Sequence, residues 1–297
     1  GSNNVAFGSF AMTSSTLSSR NVAIGDQALK VMASASATDT YNIGVGYKAG
    51  VSISTGVKNI LVGGLAGDAI TTGEYNIAIG HNALSLEDTG SRNVAIGFEA
   101  LRDLNYDGDA YNIAIGWQAG LAMTTGINNT IIGGLTGDAL TTGTYNTLFG
   151  KSAGGALTTG GYNTAIGGLA LDAEDGHGNN VAVGYAALTN LNAGAAGYNV
   201  AVGNNAGEAM TTGVNNTLVG AQAGDALTTG VSNVALGYAA LSNAQTSNYN
   251  TAIGERALHS NVNSNRNTAL GFQALYSHTT GSATDSYNTA IGYVAGA

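Results

Sequence analysis

An asparagine opens the same short phrase seventeen times, from Asn4 to Asn288. With that Asn as position 0, the step from one copy to the next is seventeen in twelve of the sixteen intervals, nineteen in two and twenty-one in two. Such a repeat leaves few folds open. Each unit must be one rung that buries its apolar residues by stacking on the next. The copies are called coils 1 to 17 in chain order. The repeat runs from end to end, so one repeat domain over 1–297 is expected, cut from a longer fibre.

Position +4 is Gly in every copy, Gly25, Gly80, Gly97 and Gly116 among them. Position +7 is Ala in all but one copy, where it is Thr136. Positions +1 and +3 carry β-branched or other large apolar residues, and +2 is usually Ala. This period-2 pattern predicts a short strand. The Gly at +4 ends it, by taking a positive φ or by letting another backbone pass close. Downstream Thr-Thr-Gly tripeptides such as 71–73 and 124–126 supply a second turn. Strand, turn, short segment and turn within so short a unit suit one coil of a parallel β-solenoid. Coils stacked at the strand spacing of about 4.8 Å would make a rod of roughly 80 Å. Asn21, Asn42, Asn76, Asn93, Asn112, Asn146 and Asn163 then stack as an amide ladder, each donating to one neighbouring coil and accepting from the other.

The copies are of two kinds. Eight have Gly at +8, and nine have Leu or Met. The seven complete Gly-type copies carry a large aliphatic at +11: Ile53, Ile70, Met123, Leu140, Leu157, Met210 and Leu227. The five Leu- or Met-type copies without an insertion carry Ser15, Glu87, Glu174, Ala244 or Asn261 there. One large side chain per regular coil, at +8 or +11, is the mark of a close-packed interior. The insertions follow Asn21, Asn93, Asn180 and Asn267, and the last three of these are 87 residues apart, which suggests a duplicated five-coil block. So thin a coil buries little by itself. If Ala at +2 and +7 fills the interior, the Val/Ile ranks at +1 and +3 face outward. A self-complementary stripe of that length calls for a symmetric oligomer. If those ranks face inward, the chain is monomeric.

The run Asn21-Val22-Ala23-Ile24-Gly25-Asp26-Gln27-Ala28-Leu29, repeated from Asn93, resembles the head repeat of trimeric autotransporter adhesins. The resemblance covers all seventeen copies. It implies a left-handed parallel β-roll, three chains packed side by side as a homotrimer, and an adhesive role. The family's usual coil is shorter than the one in this chain. The Thr-Gly turns and the Tyr before many of the asparagines are not part of its core motif. Similar Asn-Thr-Ala-Ile-Gly repeats also resemble segments of phage tail fibres and other bacterial surface fibres.

Chemistry beyond the repeat is sparse. Net charge is −9 with nine Lys and Arg, which argues against nucleic acid as a partner. No apolar run is long enough to span a bilayer, so no membrane insertion is expected. There is no Cys, hence no thiolate metal site. His81, His177, His259 and His278 share no repeat position and no metal-ligand spacing, and read as solvated surface residues. Two acidic loops stand out: Asp103, Asp107 and Asp109, and Asp172, Glu174 and Asp175 with His177. Either could hold calcium, but solvated turns are the commoner case, so no metal is assigned. Position +5 is often aromatic: Tyr47, Phe98, Trp117, Tyr185, Tyr238, Phe272 and Tyr293. Rings there pack on the turn or the trimer, or stack on sugars. Trp117, with Asp103, Asp107 and Asp109 nearby in sequence, is the candidate binding site.

The expected function is non-enzymatic and cofactor-free: a trimeric fibre head, extracellular at a bacterial cell surface or on a virion, binding a host or prey cell-surface glycan or protein. A structural spacer with binding elsewhere is the alternative. Ice binding by a Thr array, prompted by Thr130, Thr147 and Thr164, is a third reading, weakened because Val or Ile fills that position in ten coils.

Overall fold

The computed structural model describes residues 1–33, 38–277 and 284–297. The chain is an all-β parallel β-solenoid of about 17 coils, with no helix among the described residues. It forms two compact units. Gly1–Tyr145 holds coils 1 to 8, and Asn146–Ala297 holds coils 9 to 17.

Within each unit, every coil contributes a three-residue strand at +1 to +3. These run from Val5–Phe7 to Thr130–Ile132 in the first unit and from Thr147–Phe149 to Thr289–Ile291 in the second. Each pairs in parallel with the strand one coil on, in the register of the repeat: Ala78 opposite Ala95, for example, and Ala165 opposite Ala182. The two longest coils add a further short parallel pair, Ser18–Ser19 with Thr38–Asp39 and Ser264–Asn265 with Thr284–Asp285.

Strand alternation sends +2 inward and +1 and +3 outward. Ala23, Ala95 and Ala182 are fully buried at +2. Ile24, Ile60, Ile113, Phe149 and Leu236, at +1 or +3, are exposed. Each unit therefore carries an outward rank of Val, Ile and Thr along its strands.

Curvature comes from left-handed backbone at three places. Positions −1, +6 and +8 take a positive φ in every coil, as at Tyr75 (57°), Asn82 (55°) and Leu84 (54°). For a non-Gly residue each costs on the order of 1 kcal/mol. The stacked ladder must offset this, so coil and stack depend on each other. At +4 the demand is stronger. Gly25 has φ 132°, and a Cβ there would sit 2.5 Å from the carbonyl oxygen of Gly46 in the next coil. Positive φ and close backbone approach act together at this position, so only Gly serves.

The asparagines at position 0 are fully buried from Asn21 to Asn233. Asn59 shows the pattern. Its backbone N–H and its Nδ2 both donate to Oδ1 of Asn42 (2.9 and 3.2 Å), and Nδ2 also donates to the Gly73 carbonyl (2.9 Å). The same backbone-to-Oδ1 bond joins Asn21 to Asn42, Asn59 to Asn76, Asn76 to Asn93, Asn93 to Asn112, and Asn146 to Asn163. The amide ladder is thus threaded through the backbone: each Oδ1 caps the N–H that opens the next strand.

The interior explains the exchange between +8 and +11. The residues at +11 in Gly-type coils and the Leu at +8 are buried in the same space. A Cβ on Gly50 would lie 3.0 Å from Cδ1 of Ile53 in its own coil and 2.6 Å from Cδ1 of Leu61 in the next. That second contact reveals a rule the single-coil pattern hides. Position +2 is Leu or Ile in four coils only, at Leu61, Ile131, Leu148 and Leu218. Those are the four coils whose own +8 and preceding +8 are both Gly. A large +2 side chain needs two adjacent glycines to make room, as Leu218 has in Gly207 and Gly224.

Inserted coils break the one-aliphatic rule. Leu29 with Met32, Leu101 with Leu104, and Leu188 with Leu191 are all fully buried, at +8 and +11 of the same coil. The extra residues widen the coil enough for both. In the fourth inserted coil the same count falls on His278, which lies outside the described residues.

Candidate functional site

The first coil with a two-residue insertion opens at Asn93 and carries Asp103, Asp107 and Asp109, while Trp117 belongs to the next coil, which opens at Asn112. On one side the +5 side chains form a column. The rings of His81 and Phe98 stack with centroids 5.8 Å apart, and Phe98 and Trp117 follow at 6.4 Å, all nearly parallel. Consecutive coils place +5 in register, so rings one coil apart must face each other. Trp117 ends this column with half its surface (51%) exposed. Beside it, at +6, Gln118 Nε2 donates to Glu99 (2.8 Å). Glu99 lies 3.6 Å from the Arg102 guanidinium, which holds Asp103 through two bonds of 2.7 and 2.9 Å. Trp117 and Asp103 thus belong to one surface, an aromatic column edged by a polar strip.

Asp107 and Asp109 are held elsewhere. Asp107 accepts from the Thr89 hydroxyl (2.7 Å). Asp109 pairs with Arg92 (2.8 Å) and accepts from the Tyr111 hydroxyl (3.3 Å). The three aspartates therefore serve three different partners and do not pool their oxygens on one ion. Among the described residues, the group that brings three possible metal-ligand atoms within 4.8 Å is Glu174, Asp175 and His177.

Asp109 is part of a recurrent staple. Arg20–Asp39, Arg92–Asp109 and Arg266–Asp285 join position −1 of an inserted coil to the end of its insert. The next Tyr at −1 donates its hydroxyl to the same Asp, as Tyr41, Tyr111 and Tyr287 do. The cations also lie over tyrosine rings: Arg92 over Tyr75 (5.0 Å) and Tyr111 (5.6 Å), Arg266 over Tyr249 (4.7 Å). This accounts for some of the tyrosines before the asparagines: from Arg20 to Tyr111 and from Tyr249 to Tyr287, rings and cations alternate from coil to coil at this left-handed position.

The histidines are less solvated than expected. His81 is exposed yet stacked, and His177 and His259 are half-buried. His259 stacks on Tyr276 at 5.0 Å, and burial, with Arg256 nearby, lowers its pKa.

The functional groups least visible in the sequence are buried carboxyls at +11. Glu87 and Glu174 are fully buried. Glu87 accepts from the N–H of Gly90 (2.7 Å) through Oε1 and from that of Tyr106, on the insert of the next coil, through Oε2 (3.2 Å). Burial, with Asp88 adding like charge, pushes its carboxyl up to about 7. Glu174 accepts from the N–H (3.1 Å) and ring Nδ1 (3.0 Å) of His177, and from the N–H of Ala193 on the next insert (3.4 Å). The signal was in the spacing. Ser15, Glu87, Glu174 and Asn261 each sit at +11 of the coil before an insertion, while Ala244 sits in a coil that precedes none.

The chain matches no protein-family model and no curated protein.

Proposed function

We propose that this chain is a non-enzymatic fibre segment that assembles as a homotrimer and binds a cell-surface glycan or protein, outside the cell on a bacterial surface or a virion fibre. The observation that carries the reading is the outward rank of Val, Ile and Thr at +1 and +3, exposed or half-buried along both units although the interior is already filled by +2, +7, +8 and +11. An apolar rank repeated at every coil is a surface built to be covered. The column ending at Trp117, edged by Gln118, Glu99, Arg102 and Asp103, supplies the other half, since aromatic faces beside fixed polar groups suit sugar or protein partners. Three chains would multiply a weak contact by avidity.

Light scattering tests the assembly, with a mass three times the 29.4 kDa of one chain expected. Binding to glycan arrays and intact cells, compared with Trp117→Ala, tests recognition. A trimer that binds nothing would favour a structural spacer. A monomer would overturn the assembly.

A further inference from the structure

We propose that Glu87 is a proton-operated latch on the insert of the following coil, gripping the Tyr106 amide when ionised and releasing it when protonated. The geometry carries the inference. Glu87 is fully buried, and its two oxygens bridge two elements: Gly90 on its own turn and Tyr106 on the insert. Its place is fixed by packing, since a Cβ on Gly90 would lie 2.5 Å from the Glu87 carboxyl carbon and from Oε1. A carboxylate has acceptor sites for both N–H groups. A neutral carboxylic acid places a proton on one oxygen, which becomes a donor and a much poorer acceptor, so one of the two bonds weakens. The longer bond, to Tyr106, is the one that yields.

Among the described residues, no cation pairs with Glu87. The titratable groups on the elements around it are Asp88 on its turn, Tyr106, Asp107 and Asp109 on the insert, Arg92, Glu99, Arg102 and Asp103 on coil 6, and Asp68 and Glu74 on the coil before. Asp88 acts on Glu87 by like charge. Asp107, Asp109 and Asp103 are engaged with Thr89, Arg92 and Arg102. With burial as the main cause, the carboxyl changes charge near pH 7. Release stays local. Asn105 N–H remains bonded to the Thr124 carbonyl (2.8 Å), Ser91 N–H to that of Gly108 (2.9 Å), and Ala110 N–H to that of Ser91 (3.1 Å). Asp107 also keeps its bond to the Thr89 hydroxyl (2.7 Å), so what is freed is the Tyr106 amide.

The test is amide hydrogen exchange of the intact chain from pH 5.5 to 8.5, with each rate corrected for the intrinsic pH dependence of exchange. Protection of the Tyr106 amide is expected to rise roughly tenfold or more across neutral pH, the worth of a hydrogen bond to a charged group. In Glu87→Gln, whose amide offers one acceptor, protection should stay low and flat. Direct titration of the Glu87 carboxyl by carbon-13 NMR in the unmodified protein is the second measurement, needed if the variant misfolds. Flat Tyr106 protection across a carboxyl transition, an equal step in Glu87→Gln, or no carboxyl transition between pH 5.5 and 8.5 would each overturn the latch.

Discussion

The insert after Glu87 and the insert after Glu174 occupy the same place in two copies of one five-coil block, 87 residues apart. Their interiors agree. Leu101 and Leu104 in one, and Leu188 and Leu191 in the other, are fully buried at the same positions. Gly120 and Gly207, each next to those leucines, are kept small by the same neighbours, with would-be Cβ atoms 2.9 Å from Leu101 and 2.8 Å from Leu188. Their polar surfaces disagree. The first insert is stapled by Arg92, Asp109 and Tyr111. In the second, the matching positions are Asn179, Ala196 and Tyr198, and the staple is gone. The first carboxyl has backbone donors alone, while the second adds an imidazole. Close packing couples each interior side chain to the coils on both sides, so the same interior residues recur in both inserts. Surface groups pair one to one and were free to change.

Five experiments would break or sharpen this contrast, taken from the largest effect. Leu104→Ala and Leu191→Ala should each cost about 2 to 5 kcal/mol in denaturant unfolding, because both empty a space that cannot collapse. A cost of less than half in one unit would end the claim of equivalent interiors. The second experiment is a pH series. Glu87 ionises at about 7 in the folded chain against an ordinary 4.5. The folded state therefore binds the additional proton between those values. The contribution of Glu87 to stability is greatest below pH 4.5 and falls as pH rises to 7, by as much as about 3 kcal/mol. The thermal midpoint of the unmodified chain minus that of Glu87→Gln should fall over that range. This sign is opposite to the local tightening of Tyr106, so the two readouts cannot be mistaken for one another.

Third, Gly120→Leu and Gly207→Leu should each cost roughly 1 to 3 kcal/mol by overpacking. Adding Met123→Ala or Met210→Ala should return part of the loss, since +8 and +11 share one space. Full additivity would refute the exchange. Fourth, His177→Ala should cost about 1 kcal/mol, the value of one hydrogen bond to Glu174. Last and smallest, Arg92→Ala should leave the unfolding midpoint nearly unchanged, because the pair is exposed, yet speed exchange of the Ala110 amide, which donates to the Ser91 carbonyl. Installing Asn179→Arg with Ala196→Asp should slow exchange in the second insert.

Much of this was legible in the chain. Asn at 0, Gly at +4 and Ala at +7 dictated one strand per rung and a parallel stack, because a repeat can bury itself only against its own copies. The exchange between Ile53 and Leu29, one residue type per coil, announced a shared interior space. The four-residue candidate site was legible only in part. Trp117 and Asp103 do share a surface, but through Gln118, Glu99 and Arg102. Asp107 and Asp109 answer to Thr89 and Arg92 instead, and sequence proximity had no means of assigning partners that come from neighbouring coils.

The sequence by itself determined the period, the strand, the Gly-only turn and the size of what each coil may hold. Tertiary structure decided everything that depends on the coil above or below. It decided that Val and Ile at +1 and +3 face outward, that Leu61 needs both Gly50 and Gly67, and that Glu87 turns inward to grip Tyr106. The physical reason is that a coil this thin has no interior of its own. Its packing, its hydrogen bonds and its charges are completed one rung away.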